Sequence, residues 1–500
     1  MESNNIISNY CSLLDEFIHL YKNIQEIFSI NLNDSLKSIN IQKLLSSKLV
    51  KDTELVLLEN NYNINKILEP TFLENNLNLA NLQEDNKNNI FIIYSKKYQL
   101  LINNEFILNQ EEESNPENAQ GHFLQNIERD KIYRIKKNHE VKKLSEFIIS
   151  TTQNSETFLE MGCGKSYLTD ALLKSEKNIL YIGIDMNINV ITKTKNKFKK
   201  NKNIYLLDGF ITSENFETFY SDKIKSILSQ NKKPEKNIFL FGLHSCGNLT
   251  SNTLKMFIKY DFFRSLAIVG CCLHLLNEYI SPETKNSKEF LNYYNNIGKD
   301  KNGNFLDNTL IFEKNENEGY PLSEYICNKY KNFYLGRAVR NTAMQNNIEN
   351  AEYDSDLMNK NFYRALLQKF LENNLEEYAN IYGLGKNKLE IKNNFSDYVR
   401  NYLIEIKKND KNDTLKNKID EILKNIDEKC NKFYDEYKKY KNTYFALNLI
   451  RVKFAKIIEY IVVLDRIIYL NEQGIKKCKL IRIFNNHISP RNLLIYACKE

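Results

Sequence analysis

Near the start of the chain apolar residues recur at helical spacing, with Leu13, Leu14, Phe17, Leu20, Tyr21 and Ile24 on one stripe. Few glycines or prolines interrupt residues 1–125, which predicts an N-terminal helical region. Within it, Gln110–Gly121 is polar and acidic around Pro116 and reads as a linker. From Lys131 to about Leu276 short apolar runs alternate with amphipathic helices. Thr157–Glu160, Ile179–Asp185, Ile204–Asp208, Ile238–Leu243 and Ser265–Gly270 are the strand candidates. That order predicts an α/β fold with a parallel, doubly wound sheet. Residues 281–440 break the alternation, with a flexible-looking stretch Asn286–Glu318 followed by helical patterns at Phe362–Leu371 and Phe395–Ile404. A long helix over about Ala446–Asn471 stops near Gly474. Two more strands, Lys479–Phe484 and Asn492–Ala497, then form a hairpin across Asn485–Arg491. The five earlier strands and these two predict a seven-stranded Rossmann-like sheet. Its core is 126–280, a mostly helical insertion occupies 281–440, and 441–500 supplies the final helix and hairpin.

The first βαβ unit carries the most chemistry. Phe158–Leu159 runs into Glu160, Gly162 and Gly164 permit a tight turn, a helix starts at about Tyr167, and the next strand ends at Asp185. Such a half-unit binds nucleosides, with the acid after the second strand taking the ribose hydroxyls. A dinucleotide fingerprint needs a third glycine where this chain has Tyr167. An acid two residues before two alternating glycines instead suits S-adenosylmethionine (SAM), which has no pyrophosphate to cradle. Asp208, ending the third strand, is placed to meet the adenine amino group. His139 and Glu140 fall in a helix that enters the sheet from its top edge, close to the cofactor. Glu140 also reads as ordinary dipole complementarity in a first helical turn.

Charge and cysteine usage narrow the classes. A net charge of +7 from 70 basic and 63 acidic residues implies no global nucleic-acid field. Of the local basic runs Lys193–Lys202 and Lys131–Lys143, the first reads mainly as a solvated helix face, with contact to RNA or an acidic protein as the alternative. Nine scattered cysteines predict a reducing compartment, cytoplasmic or nuclear, rather than a disulfide scaffold. No secretory leader is visible, and Glu459, Asp465 and Arg466 interrupt the longest apolar tract, so no membrane partner is expected.

After the fourth strand comes Gly242–Leu249, containing His244 and Cys246; after the fifth comes Gly270–Leu276, containing Cys271, Cys272 and His274. Ligands bind beyond the carboxyl ends of such strands, so these side chains converge at one edge. They could orient or deprotonate a nucleophile, or pack as a small pocket wall. Adjacent cysteines lack the gap between ligands of zinc fingers and ribbons, so no metal is expected. The last hairpin loop, with Ser489, Pro490 and Arg491, faces the same edge.

Together these stretches resemble the methyltransferase-like 25 family of class I SAM-dependent methyltransferases. The resemblance rests on Lys137–Val141, Gly162–Lys165, Leu243–Leu249, Gly270–Leu276, Tyr320–Glu324, Phe362–Gln368, Leu464–Arg466 and Ser489–Asn492, and covers about Lys131 to the C-terminus. It implies that Glu160, Gly162, Gly164 and Asp185 hold SAM, and Lys165 in the same turn is a further cofactor-binding candidate. It places His244, Cys246, Cys271, Cys272, Tyr320, Ser323, Arg364, Ser489 and Arg491 on the acceptor side. A more distant likeness exists to a tRNA ribose methylase with a similar Cys-Cys-His stretch. The chain departs from the family at Ser166, where glycine is usual, at Glu160, often aspartate, and at Leu273, typically tyrosine. No Asn-Pro-Pro-aromatic or Asp-Pro-Pro-aromatic tetrapeptide follows the fourth strand, which argues against methylation of an adenine amino group. The expected acceptor is a macromolecule, a protein side chain of the translation apparatus ahead of rRNA or tRNA. A non-catalytic interaction protein on the same fold is the alternative from another class.

Overall fold

A computed structural model of the chain describes residues 2–28, 30, 35–36, 38–60, 67, 89–109, 129–152, 157–175, 179–295, 307–314, 318–344, 355–375, 394–409, 412–486 and 488–499. The linker expected at Gln110–Gly121 lies outside them. The strands are β1 (Ile107–Asn109), β2 (Thr157–Met161), β3 (Leu180–Asp185), β4 (Ile204–Asp208), β5 (Ile238–Cys246), β6 (Phe263–Cys271), β7 (Glu278–Tyr279), β8 (Leu310–Ile311), β9 (Lys477–Arg482) and β10 (Leu493–Cys498).

Eight of them form one sheet in the order β1-β9-β10-β6-β5-β2-β3-β4, while β7 and β8 pair separately. Only β10 runs antiparallel, to β6 on one side and β9 on the other. The α/β fold and the closing hairpin are as the sequence pattern predicts. The reversal of strand order lies between β2 and β5, and that is where such sheets open a crevice for ligands. β2 is buried along its whole length, as a strand covered by helices on both faces must be.

The sheet has one strand more than predicted. β1 pairs in parallel with β9, Ile107 opposite Leu480, so the N-terminal region extends the sheet edge as well as supplying helices. Three residues are too few for periodicity to register a strand. The Glu2–Phe28 helix packs on the Lys441–Glu472 helix, where Phe17 and Tyr460 stack with ring centroids 4.9 Å apart. One hydrophobic core runs from Tyr10 through the helices of 355–437 to Ala497. Among the described residues, no helix is long and apolar enough to cross a membrane.

The charges that interrupt the Ile457–Leu470 tract are all buried in this long helix. Glu459 pairs with Arg491 at 3.2 Å. Asp465 accepts from the Leu322 and Ser323 backbone N–H groups and from the Ser323 hydroxyl, at 2.6–2.9 Å. The Gly474 backbone, at φ +86°, then stops the helix as expected.

Candidate functional site

The glycine turn is stitched to β3 by its own backbone. The Gly162 and Cys163 N–H groups both donate to the Ile184 carbonyl, at 2.8 and 3.1 Å. Asp185, at the carboxyl end of β3, closes the turn: Oδ2 accepts from the Gly164 N–H and Oδ1 from the Asn187 N–H, each at 2.8 Å. Asn187 in turn caps the Ile188–Lys197 helix. Gly164 sits at φ +51°, and a Cβ added there would meet nothing within 4 Å. Open space therefore lies against the turn, which is what a bound nucleoside requires.

Glu160 stands behind the turn, 4% exposed, and accepts a hydrogen bond from the Tyr181 hydroxyl. Burial pushes its carboxyl up to about 8, against the lowering effect of that hydrogen bond, and the Asp185 charge adds to the rise. Ser166 is fully buried at φ +49° with its hydroxyl unpartnered. A left-handed backbone is the physical reason that glycine suits this position. Lys165 and Asp208 are exposed, and Asp208 lies opposite Asp185 in the β3–β4 register.

Two residues that sequence reasoning missed complete this edge. Met186 and Phe210 are 70% and 62% exposed, directly beyond the acids that end β3 and β4. Large apolar side chains left in solvent beside a nucleoside-type turn suit the faces of a nucleobase. The signal was available, in a bulky apolar residue just past each strand-ending acid.

The second edge is built around Glu140. The Arg129–Thr151 helix begins well before it, so the expected place in a first helical turn is wrong; Glu140 is mid-helix and 3% exposed. Its two oxygens serve two different loops, Oε2 lying 2.9 Å from His244 Nε2 and Oε1 accepting from the Ser489 hydroxyl at 2.6 Å. Burial by itself raises this carboxyl, but the His244 hydrogen bond and charge, Ser489 and Lys136 together hold it below the usual range. His244 occupies a bulge between β5 and β6 at φ +60°, and a bulge re-aims the side chain it carries. His139 turns elsewhere, accepting at Nε2 from the Asn485 N–H at 3.0 Å. The expected approach of His139 and Glu140 to the cofactor turn thus resolves into contacts with the last hairpin and β5.

Cys246 and Cys271 stand opposite one another in the β5–β6 register, with sulfurs 3.1 Å apart, and Cys271 Sγ lies 3.6 Å from Cys272 Sγ. Hydrogen bonds from the other two thiols hold Cys272 below a thiol's usual range. Gly247, at φ +52°, lets the two loops meet: a Cβ there would fall 2.9 Å from Leu275 Cβ. Arg340, also missed, braces the second loop from inside. It is fully buried, pairs with Glu278 at 3.1 Å and donates to the Leu273, Leu276 and Thr309 oxygens at 2.6–2.8 Å.

Several residues implied by the resemblance sit in the framework of the fold. Ser323 is fully buried against Asp465 and caps the Glu324–Lys329 helix. Tyr320 is 1% exposed. Arg364 lies near Tyr398 in the helical insertion. Arg491 is closed in with Glu459, so its guanidinium already has a carboxylate partner.

The strand order, the acid-clasped glycine turn and the apolar residues beyond it define a class I methyltransferase domain, and residues 136–279 match the family described as a methyltransferase domain. Its sequence is similar to the methyltransferase-like 25 proteins. It is 30% identical to methyltransferase-like protein 25 of Mus musculus over 53% of this chain and 38% of that one. To the Homo sapiens protein of the same name it is 29% identical over 60% of this chain and 41% of that one. The matched stretch thus spans about two fifths of these relatives. The solved plantazolicin methyltransferase BamL, in complex with a triazolic desmethylPZN analogue and SAH, is 17% identical over 30% of this chain and 53% of that one, with a TM-score of 0.20.

Proposed function

We propose that this chain transfers the methyl group of SAM to a macromolecule, and that the acceptor is a protein side chain of the translation apparatus. The observation that carries the cofactor is the Asp185–Gly164 clasp with open space against it. Asp185 and the turn would hold the ribose and methionine portions, with Met186 and Phe210 against the adenine. SAM supplies an electrophilic methyl on a sulfonium, so displacement in line needs a correctly placed acceptor with a free lone pair.

The Glu140–His244 pair supports the acceptor assignment. In its neutral form, with Nε2–H donated to Glu140, His244 would present Nδ1 as a proton acceptor, and Glu140 would fix that tautomer. An ammonium side chain must lose a proton before it can attack, whereas a base amino group is already neutral. His244 Nδ1 would take the ammonium proton first, freeing the lone pair that attacks the methyl group SAM would supply. Ser489 keeps the second Glu140 oxygen occupied and so holds the pair in place. RNA is the second reading, favoured by Lys137 and Lys197 around the half-exposed Tyr167 beside the turn.

The test is transfer of tritiated methyl from SAM into a lysate of cells lacking this protein, followed by digestion. Label released by protease supports the reading, and label released by ribonuclease instead overturns the protein acceptor. No label, together with no SAM binding by calorimetry, would leave the non-catalytic alternative standing.

A further inference from the structure

Adjacent residues of an extended strand point to opposite faces, so a Cys-Cys pair at a strand end should separate its sulfurs. Here it does not. Cys272 adopts a left-handed backbone at φ +53°, which brings its sulfur back to 3.6 Å from that of Cys271. Such a backbone costs a non-glycine residue about 1–2 kcal/mol. Cys246 arrives from the neighbouring strand, and all three sulfurs lie within 4.8 Å of one another. A tetrahedral zinc site with Zn–S bonds of about 2.3 Å places its sulfurs roughly 3.8 Å apart. The observed 3.1 and 3.6 Å reach that spacing with shifts below 1 Å.

Two buried polar groups around the cluster lack partners. Nδ1 of His274, two residues beyond Cys272, is buried with no hydrogen bond. Arg466 is 1% exposed, and its Nε and Nη2 have no hydrogen-bond partner. Its Nη1 lies 3.0 Å from where a Cβ on Gly270 would be, directly behind the cysteine edge. The neighbouring carboxylate of Asp465 is committed to Leu322 and Ser323, and Glu459 to Arg491. The Asp465 and Glu459 charges act on Arg466 through space, but its unbonded N–H groups leave the buried guanidinium incompletely satisfied, which is costly. A divalent cation on three thiolates has a net charge of about −1 and adds negative charge on the cysteine side of this guanidinium.

We propose that Cys246, Cys271 and Cys272 bind a soft divalent cation of the zinc class through three thiolates, with the fourth position open to solvent. The lack of a gap between Cys271 and Cys272, which argued against a metal in the sequence, is overcome by the left-handed turn at Cys272. Cys246 is the exposed member, and through it the open position faces the edge that carries His244. The Arg340 bonds to Leu273 and Leu276 hold the second loop before any ion arrives.

The test is metal analysis by mass spectrometry on the full chain, purified without chelator and with no metal-affinity step. About one zinc per chain is expected, falling about tenfold or more in Cys246→Ser and in Cys272→Ser and unchanged in Cys327→Ser. Cys246 is exposed, so its replacement opens no cavity, and an unchanged far-ultraviolet dichroism spectrum shows that the variant is folded. Cobalt loaded in place of zinc should give thiolate-to-metal charge-transfer bands that Cys246→Ser abolishes. The proposal is overturned if protein reconstituted with one equivalent of zinc and passed through gel filtration retains none. Isolation of the folded chain as a Cys246–Cys271 disulfide, lighter by two hydrogens under anaerobic handling, overturns it as well. Metal content is read without turnover, so failure here leaves the methyltransferase reading untouched.

Discussion

Replacing Asp185 by asparagine changes one atom, yet the clasp cannot tolerate it. Both carboxylate oxygens accept from backbone N–H groups, of Gly164 on one side and Asn187 on the other. An asparagine satisfies one of these donors and turns its NH₂ toward the other, leaving two donors facing each other. A hydrogen bond to a charged group contributes about 1.5–3 kcal/mol. The turn therefore loosens by that amount before any ligand is considered. A carboxylate that also holds ribose hydroxyls loses a comparable increment in the complex, which corresponds to about ten- to hundredfold in Kd. The assay is calorimetric titration of the full chain with SAM and with its demethylated product, alongside a thermal melt. Asp185→Asn should weaken both ligands within that range and lower the melting temperature. Wild-type affinity in a variant that melts as wild type would refute the assignment of Asp185 as the clasp of a nucleoside site.

The remaining expectations concern the neighbouring groups. Phe210→Ala should weaken SAM binding about tenfold, since stacking on a base is worth about 1–3 kcal/mol; the unliganded melt should not move, because Phe210 is 62% exposed. Arg340→Met leaves the Glu278 carboxylate buried and unpaired and should destabilise by about 3–5 kcal/mol in urea unfolding. Glu160 titrates at about 8 in the folded chain, above its unfolded value of 4.5. Its contribution is therefore fully present below pH 4.5 and is lost as pH rises through about 8. Glu160→Gln should remove that dependence, so that the variant gains on the wild type as urea midpoints are followed from acid to pH 8.

Much of this framework was legible in the chain. The alternation of apolar runs located all seven long strands, because a strand buried on both faces must be apolar throughout, and Gly162, Gly164 and Asp185 marked the turn. β1 was not legible, being three residues long and defined only by its pairing with β9. Glu140 illustrates a different limit. Sequence spacing placed it near the start of a helix, whereas its importance comes from meeting His244 and Ser489, which lie 104 and 349 residues away. Arg491 and Ser323 show the converse, since polar residues expected on the acceptor side hold loops to the long helix.

By itself, then, the sequence determined the α/β class, the order of strands and the kind of nucleoside turn, because local periodicity and turn chemistry are written in neighbouring residues. Only the tertiary structure decided which polar groups belong to the site. It placed His244 on Glu140, buried Arg340 behind the cysteine loop and folded Cys272 back onto Cys271. The physical reason is that burial and pairing depend on distances through space, and a buried charge accepts whichever partner the fold brings within hydrogen-bond reach.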